Sequence, residues 1–145
     1  YLREELPLLG GFVTKVYRVH GDGHPELEAL HDRFRRMKEE LERHLAAEEE
    51  AVFPLIRRAE QTGAPDDAEA AAKAIGDAEA EHDAVGALLK EMRTITRDYL
   101  LPDDACRTYT LTYRKLEELE SDLFEHIHLE NNVLFPRYRN RLQTH

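Results

Sequence analysis

The sequence predicts an all-α protein, an up-down-up-down bundle of four helices. Three observations predict it. Apolar residues recur in steps of three and four through four separate stretches, the spacing of one helix face. Between them stand clusters of chain-breaking residues, Gly21-Asp22-Gly23-His24-Pro25, Thr62-Gly63-Ala64-Pro65 and Pro102-Asp103-Asp104. The third observation is a motif written twice. Residues 44–54 and 126–136 both read His-x3-Glu-x3-(Val/Leu)-Phe-Pro, and His-x3-Glu sets an imidazole and a carboxylate one turn apart on one helix face.

The first helix is marked by Leu2, Leu6, Leu9, Val13 and Val16. Pro7 predicts a kink or a later start there, and Gly10 and Gly11 weaken the helix further. The second stripe runs Leu27, Leu30, Phe34, Met37, Leu41, His44, Glu48, Ala51, Leu55, so a histidine and a glutamate replace apolar residues on the buried face. Asp66 or Asp67 is expected to cap the third helix. Its stripe is Ile75, Ala78, His82, Val85, Leu89 and Met92, with Pro102 ending the pattern. Asp103 or Asp104 is expected to cap the fourth, whose seam is Leu116, Leu119, Leu123, His126, Glu130 and Val133.

Length and charge bound the function. A chain of 145 residues is expected to be a single domain, 1–145. It opens at Tyr1 with its helical pattern already running, which suggests a piece cut from a longer protein. A net charge of -10 argues against a nucleic-acid backbone as partner. No segment approaches the roughly 18 apolar residues of a membrane span, and none reads as a signal peptide. The single cysteine, Cys106, rules out an intrachain disulfide and fits a reducing, cytoplasmic compartment.

Helices that meet at a turn pair residues equidistant from it. On that basis His44 and Glu48 fall level with Asp77–His82, and His82 level with Asp122–His126. Five polar residues (His44, Glu48, His82, His126 and Glu130) thus gather at one height of an apolar core. Burying one ionised carboxylate unpaired costs on the order of several kcal/mol, so two of them call for cations. Imidazole and carboxylate suit iron, zinc, manganese or nickel. Two carboxylates can each bridge two ions while imidazoles take terminal positions. The first helix reaches this level near Tyr1, and its stripe extended backward places a further histidine ligand two residues upstream, with Tyr1 near the metals in its absence.

His20 is rejected as that ligand, because it ends the first helix far from His44, and is expected to pack and cap at the bundle end. His24, His31, His128 and His145 are expected on the surface. Glu40, Asp122 and Glu81 stand near the ligand histidines in sequence and are weighed as acceptors for their second ring nitrogens. Cys106, near a helix start, is read as structural.

With these residues in view, the pattern resembles hemerythrin-like (HHE cation-binding) domains. More narrowly it resembles the iron–sulfur cluster repair di-iron proteins, the repair-of-iron-centres family. The resemblance rests on Val19-His20-Gly21-Asp22, Glu81-His82-Asp83, Pro102-Asp-Asp-Ala-Cys106 and His126-Ile-His-Leu-Glu-Asn-Asn-Val-Leu-Phe-Pro-Arg137. It implies a carboxylate-bridged pair of non-haem irons at His44, Glu48, His82, His126 and Glu130, with the remaining ligand just before Arg3-Glu4-Glu5-Leu6-Pro7. It also implies a small N-terminal cysteine-pair domain, which this sequence does not contain. The function so implied is repair of clusters damaged by oxidants or nitric oxide, possible clients being iron–sulfur proteins and the small ligands O2 or NO.

Two other functions compete: a di-iron enzyme reducing nitric oxide or peroxide, and hemerythrin-type oxygen carriage. The second is disfavoured because oxygen carriers place a second histidine one turn after the third-helix ligand, where Gly86 stands here. Their last helix also uses a longer His-to-Asp spacing.

Overall fold

The apolar stripes form helices, and in two of them the stripe slips by one residue at the same point of the repeated motif. The structure, a computed structural model, describes residues 2–143; the expectations placed on Tyr1 and His145 lie outside them. In chain order it has α1 (Leu2–His20), α2 (Glu26–Ala47), a π-turn (Glu48–Val52), α3 (Phe53–Thr62), α4 (Pro65–Ile95), α5 (Arg107–Leu129), a second π-turn (Glu130–Leu134) and α6 (Phe135–Gln143). The π-turns join α2 to α3 and α5 to α6, so six helices make four rods. α1 packs on α2 and α5, and α4 on α2 and α5, which is the expected all-α bundle.

The helix ends differ in detail from expectation. α1 is already helical at Leu2 and runs unbroken through Pro7. Gly63, at φ 63°, closes α3 in the left-handed conformation that glycine adopts freely. α4 is led by Pro65 rather than capped by an aspartate. Asp66 and Asp67 lie in its first turn, where carboxylates favour the helix dipole. α4 stops at Ile95, well before Pro102. Thr96 Oγ1 donates to the Met92 carbonyl at 2.8 Å and accepts the Tyr99 amide at 3.1 Å. Arg97, Asp98 and Tyr99 then take φ of 54°, 59° and 60°, which costs roughly 1–2 kcal/mol per residue. Burial of the Tyr99 ring beneath the Arg93 guanidinium, 5.2 Å from its centroid, offsets part of that cost. α5 is capped by Cys106, whose Sγ accepts the Tyr109 amide at 3.4 Å, and not by Asp103 or Asp104.

The connection from α4 to α5 also sets a different register. Arg93 pairs with Glu120 at 2.8 Å and His82 with Asn131 at 2.8 Å, eleven residues apart on both helices. His82 is therefore level with Glu130–Asn131, one to two turns beyond the expected Asp122–His126. The equidistance rule assumes a tight turn. Here residues 96–106 climb beside the first turns of α5, with Tyr99 packed on Tyr113 at 5.4 Å.

The π-turns have a cause in the sequence. Pro54 and Pro136 have no N–H, and in a regular helix their rings would collide with the carbonyls of Glu50 and Asn132. The chain widens instead: Phe53 N–H reaches back five residues to the Glu48 carbonyl, and Phe135 N–H to that of Glu130. One extra residue turns everything beyond it by about 100°. The expected seam positions Ala51 and Val133 are consequently exposed and Leu55 is only half-buried. Val52, Ile56, Ala59 and Phe135 take their place in the core.

Three of the four rods carry polar residues between two apolar blocks. Leu41, Val85 and Leu123 belong to a larger cluster shared with α1. Val52, Ile56, Ala78 and Phe135 belong to a second one, formed by the first π-turn, α3, α4 and α6. His44, Glu48, His82 and Glu130 are buried between the two.

The slipped register is testable by denaturation. Ile56→Ala is expected to cost about 2–5 kcal/mol, whereas Ala51→Ser should stay within roughly 0.5 kcal/mol. A regular helix would make Ala51 the sensitive position.

Candidate metal centre

Two buried imidazoles face each other through nitrogens that both carry lone pairs. His44 Nδ1 donates to Glu81 Oε2, and His82 Nδ1 donates to Asn131 Oδ1 at 2.8 Å. Those bonds leave both Nε2 atoms as acceptors, yet they stand 3.0 Å apart. Two acceptors at that distance repel unless a proton or a metal ion lies between them.

The carboxylates complete the cluster. Glu48 follows His44 by one turn, just where the π-turn begins, and its Oε1 lies in close contact with His44 Nε2 and 3.8 Å from His82 Nε2. Its other oxygen is turned toward His126 Nε2 at 4.0 Å. Glu130 Oε1 lies 2.7 Å from His126 Nε2 and 3.6 Å from His82 Nε2. Ligand atoms of His44, Glu48, His82 and Glu130 all fall within 4.8 Å of one another. His126 joins that group from its edge; its side chain is 35% exposed, against 2% for His44 and His82.

Glu48 Oε1, both Glu130 oxygens and His126 Nε2 are buried without a properly directed hydrogen bond. Buried polar groups so incompletely partnered are costly unless a cation answers them. The donor set of imidazole nitrogens and carboxylate oxygens fits a divalent transition-metal ion.

In the metal-free protein, protons take the place of cations. Burial disfavours a charged His82, but the nearby Glu130 and Glu48 carboxylates and the bond to Asn131 outweigh it and hold its pKa up at about 10. His44 is likewise raised: burial opposes its charge, and Glu48 and Glu81 outweigh burial. His126 is raised mainly by the Glu130 carboxylate beside it. Burial pushes Glu130 upward, yet the His126 and His82 imidazoles beside it carry it well below the usual carboxylate range.

All five sequence-identified residues thus meet in space, four tightly and His126 at the margin. Glu81 does serve a ligand-type histidine, but across the bundle, on His44, not beside its neighbour His82. Glu40 and Asp122 make no hydrogen bond to the histidines among the described residues; Glu40 lines a cavity with Arg43 and Glu81. Asp122 lines one of about 390 Å³ with Leu2, Arg3, Leu45 and His126. Asn131 was missed. Its only signal is its place directly after Glu130, inside a turn that the sequence reading took as regular helix.

The remaining histidines divide. His20 lies beside Cys106 at the far end of the bundle, as expected. His128 is exposed, but His31 and His24 are half-buried and not simply on the surface. His31 stacks on Tyr17 and reaches Thr14, and His24 pairs with Asp104. The expected first-helix ligand precedes residue 1; Arg3, which pairs with Glu49 at 2.7 Å, sets the start of α1 level with the site.

A four-rod bundle holding such a buried imidazole–carboxylate cluster is a cation-binding helical domain. Residues 1–138 match the hemerythrin HHE cation binding domain, and the chain belongs to that family. It is 37% identical over 137 residues to the iron–sulfur cluster repair protein ScdA of Staphylococcus haemolyticus (strain JCSC1435), covering 94% of this chain and 60% of the relative. It is 41% identical over 137 residues to the iron–sulfur cluster repair protein YtfE of Yersinia pseudotuberculosis serotype O:1b (strain IP 31758), covering 93% and 58%. The chain therefore spans about three fifths of the length of these curated relatives. No described helix is long and apolar enough to cross a membrane.

Two predictions follow from this geometry. A group whose folded pKa is raised stabilises fully below its unfolded pKa and loses that contribution as pH climbs toward the folded value. His82 should therefore stabilise the metal-free domain below about pH 6.5 and cease to do so toward pH 10. Glu130, with a lowered pKa, contributes above about 4.5 and loses its contribution as pH falls. The melting temperature of metal-free protein, followed by circular dichroism, should fall from pH 6.5 to 10. Metal affinity should rise over the same range, because the metal displaces the proton; a flat metal-free profile would count against the assignment. Separately, Asn131→Ala removes the acceptor that orients His82, and chelator competition should show metal affinity reduced about 10–100-fold.

Proposed function

We propose that this domain holds a carboxylate-bridged pair of non-haem irons and serves the repair of iron–sulfur clusters damaged by oxidants or nitric oxide, as an iron donor. The observation that carries the two-metal reading is the orientation of Glu48. One oxygen faces His44 and His82 while the other is turned toward His126, as a carboxylate spanning two ions requires. Glu130 also stands between His126 and His82, its Oε1 facing both. In this reading His44, His82 and His126 are terminal ligands, and Glu48 and Glu130 bridge. The repair role rests on the relatives, whose names describe iron–sulfur cluster repair proteins.

Bound there, two irons would supply redox-active centres able to exchange small ligands such as O2 or NO. The chain's own residues divide the labour around them. Glu81 and Asn131 fix the rings of His44 and His82, and the apolar blocks on both sides exclude water. His126 is partly exposed and lies beside a cavity. Iron–sulfur proteins are the clients in this reading, and neither nucleic acid nor membrane is.

Anaerobic metal analysis should find close to two irons per chain, and zinc alone would end the iron assignment. Iron-loaded protein mixed with an apo iron–sulfur protein and sulfide should restore the cluster's visible absorption while losing its own iron. Glu130→Gln should lose iron and transfer together. Steady consumption of nitric oxide without iron loss would instead make the domain an enzyme.

A further inference from the structure

At the far end of α2, about 27 Å of helix rise from His44, a second set of metal-ligand side chains gathers from three parts of the chain. His20 ends α1, His24 sits in the turn that follows, and Asp104 and Cys106 lie just before α5. His20 Nε2 is 3.2 Å from Cys106 Sγ, and His24 Nε2 is 3.0 and 3.2 Å from the two Asp104 oxygens. Both imidazoles stand edge-on to the fully buried ring of Tyr109, with centroids 5.2 and 5.7 Å away, and 6.4 Å from each other.

A plain alternative exists: two hydrogen-bonded pairs that fasten the end of the bundle. The donor chemistry points further. A thiol, two imidazoles and a carboxylate form a complete tetrahedral set for zinc, with bonds of about 2.0–2.3 Å, so neighbouring ligand atoms would lie roughly 3.3–3.6 Å apart. Each pair already sits near that spacing, as if it were one edge of the tetrahedron. The Tyr109 amide donates to Sγ and holds the sulfur at the N-terminus of α5, facing His20. The imidazoles are backed by Tyr109, while Cys106 and Asp104 are exposed. One ion shared by the two pairs would draw them together by side-chain rotation.

We propose that Cys106, His20, His24 and Asp104 form a second, solvent-facing site for a divalent cation of the zinc type, separate from the buried centre and joining the end of α1 to the start of α5. The buried centre has no sulfur ligand, and Cys106 is the chain's single cysteine. Any metal–sulfur signal therefore reports this site alone.

The test uses protein whose buried centre has first been loaded with iron. Added Co2+ should produce a near-ultraviolet sulfur-to-cobalt charge-transfer band that Cys106→Ser lacks. Zn2+ at ten times its dissociation constant should slow alkylation of Cys106 by iodoacetamide about tenfold. That protection should fall to less than about twofold in His24→Ala and in Asp104→Asn, if losing a ligand weakens binding at least tenfold. Asp104 is largely exposed, so its variant keeps the test alive should the histidine variant misfold. Absence of the cobalt band, or equal protection in the Asp104→Asn protein, would overturn the proposal.

Discussion

Two glutamates are buried almost completely in the middle of this bundle, and the architecture around them is organised by the need to answer their charge. Glu48 and Glu130 lie 4% and 2% exposed between two apolar clusters. An ionised carboxylate in such a place costs several kcal/mol or more unless countercharge is supplied. The chain supplies it in layers. Three imidazoles surround the carboxylates, and Glu81 and Asn131 orient two of those imidazoles from behind. With metal absent, protons serve, which is why the histidines are pushed up and Glu130 down in pKa. With metal present, the same atoms have a better partner.

The π-turns belong to this same problem. Each begins at the buried glutamate and ends just before Phe-Pro, and each arises from a proline that cannot donate to the preceding turn. The widening sets the glutamate on one apolar register and the next block on another. Val52, Ile56 and Phe135 can then seal the site from above, while Leu41 and Leu123 seal it from below. A local defect in hydrogen bonding thus allows a polar layer to interrupt an apolar core without exposing either block.

Much of this was legible in the sequence because helix periodicity is a strong signal. The stripes of α1, α4 and the first part of α5 survive intact, and the five polar residues stand out because each occupies a position where periodicity demands an apolar one. What could not be read depends on local hydrogen bonding that periodicity ignores. The pattern through Ala51 and Val133 continued a regular helix past two prolines, although the motif quoted for its histidine and glutamate already contained the cause of the slip. Aspartate is a good cap and so predicts the helix starts, but Ala64 stands at the N-cap of α4 with Pro65 leading the helix, and Cys106 caps α5. His82 was placed too early along α5 because a connection of eleven residues was treated as a tight turn. Asn131 escaped notice because its role depends on that corrected register.

The repeated motif might suggest a symmetric site, and the surroundings make it unequal. His44 is fully buried and held through Nδ1 by Glu81, so its ring has one orientation. His126 occupies the same place in the second copy, yet it is partly exposed and, among the described residues, has no such acceptor. The difference arises from neighbours, not from the motif: α4 lies against the first copy and brings Glu81, whereas the second copy looks toward the start of α1 and a cavity. The two copies of the motif therefore differ through their neighbours: one histidine is held rigidly in the core, and the other stands at the edge of the cluster.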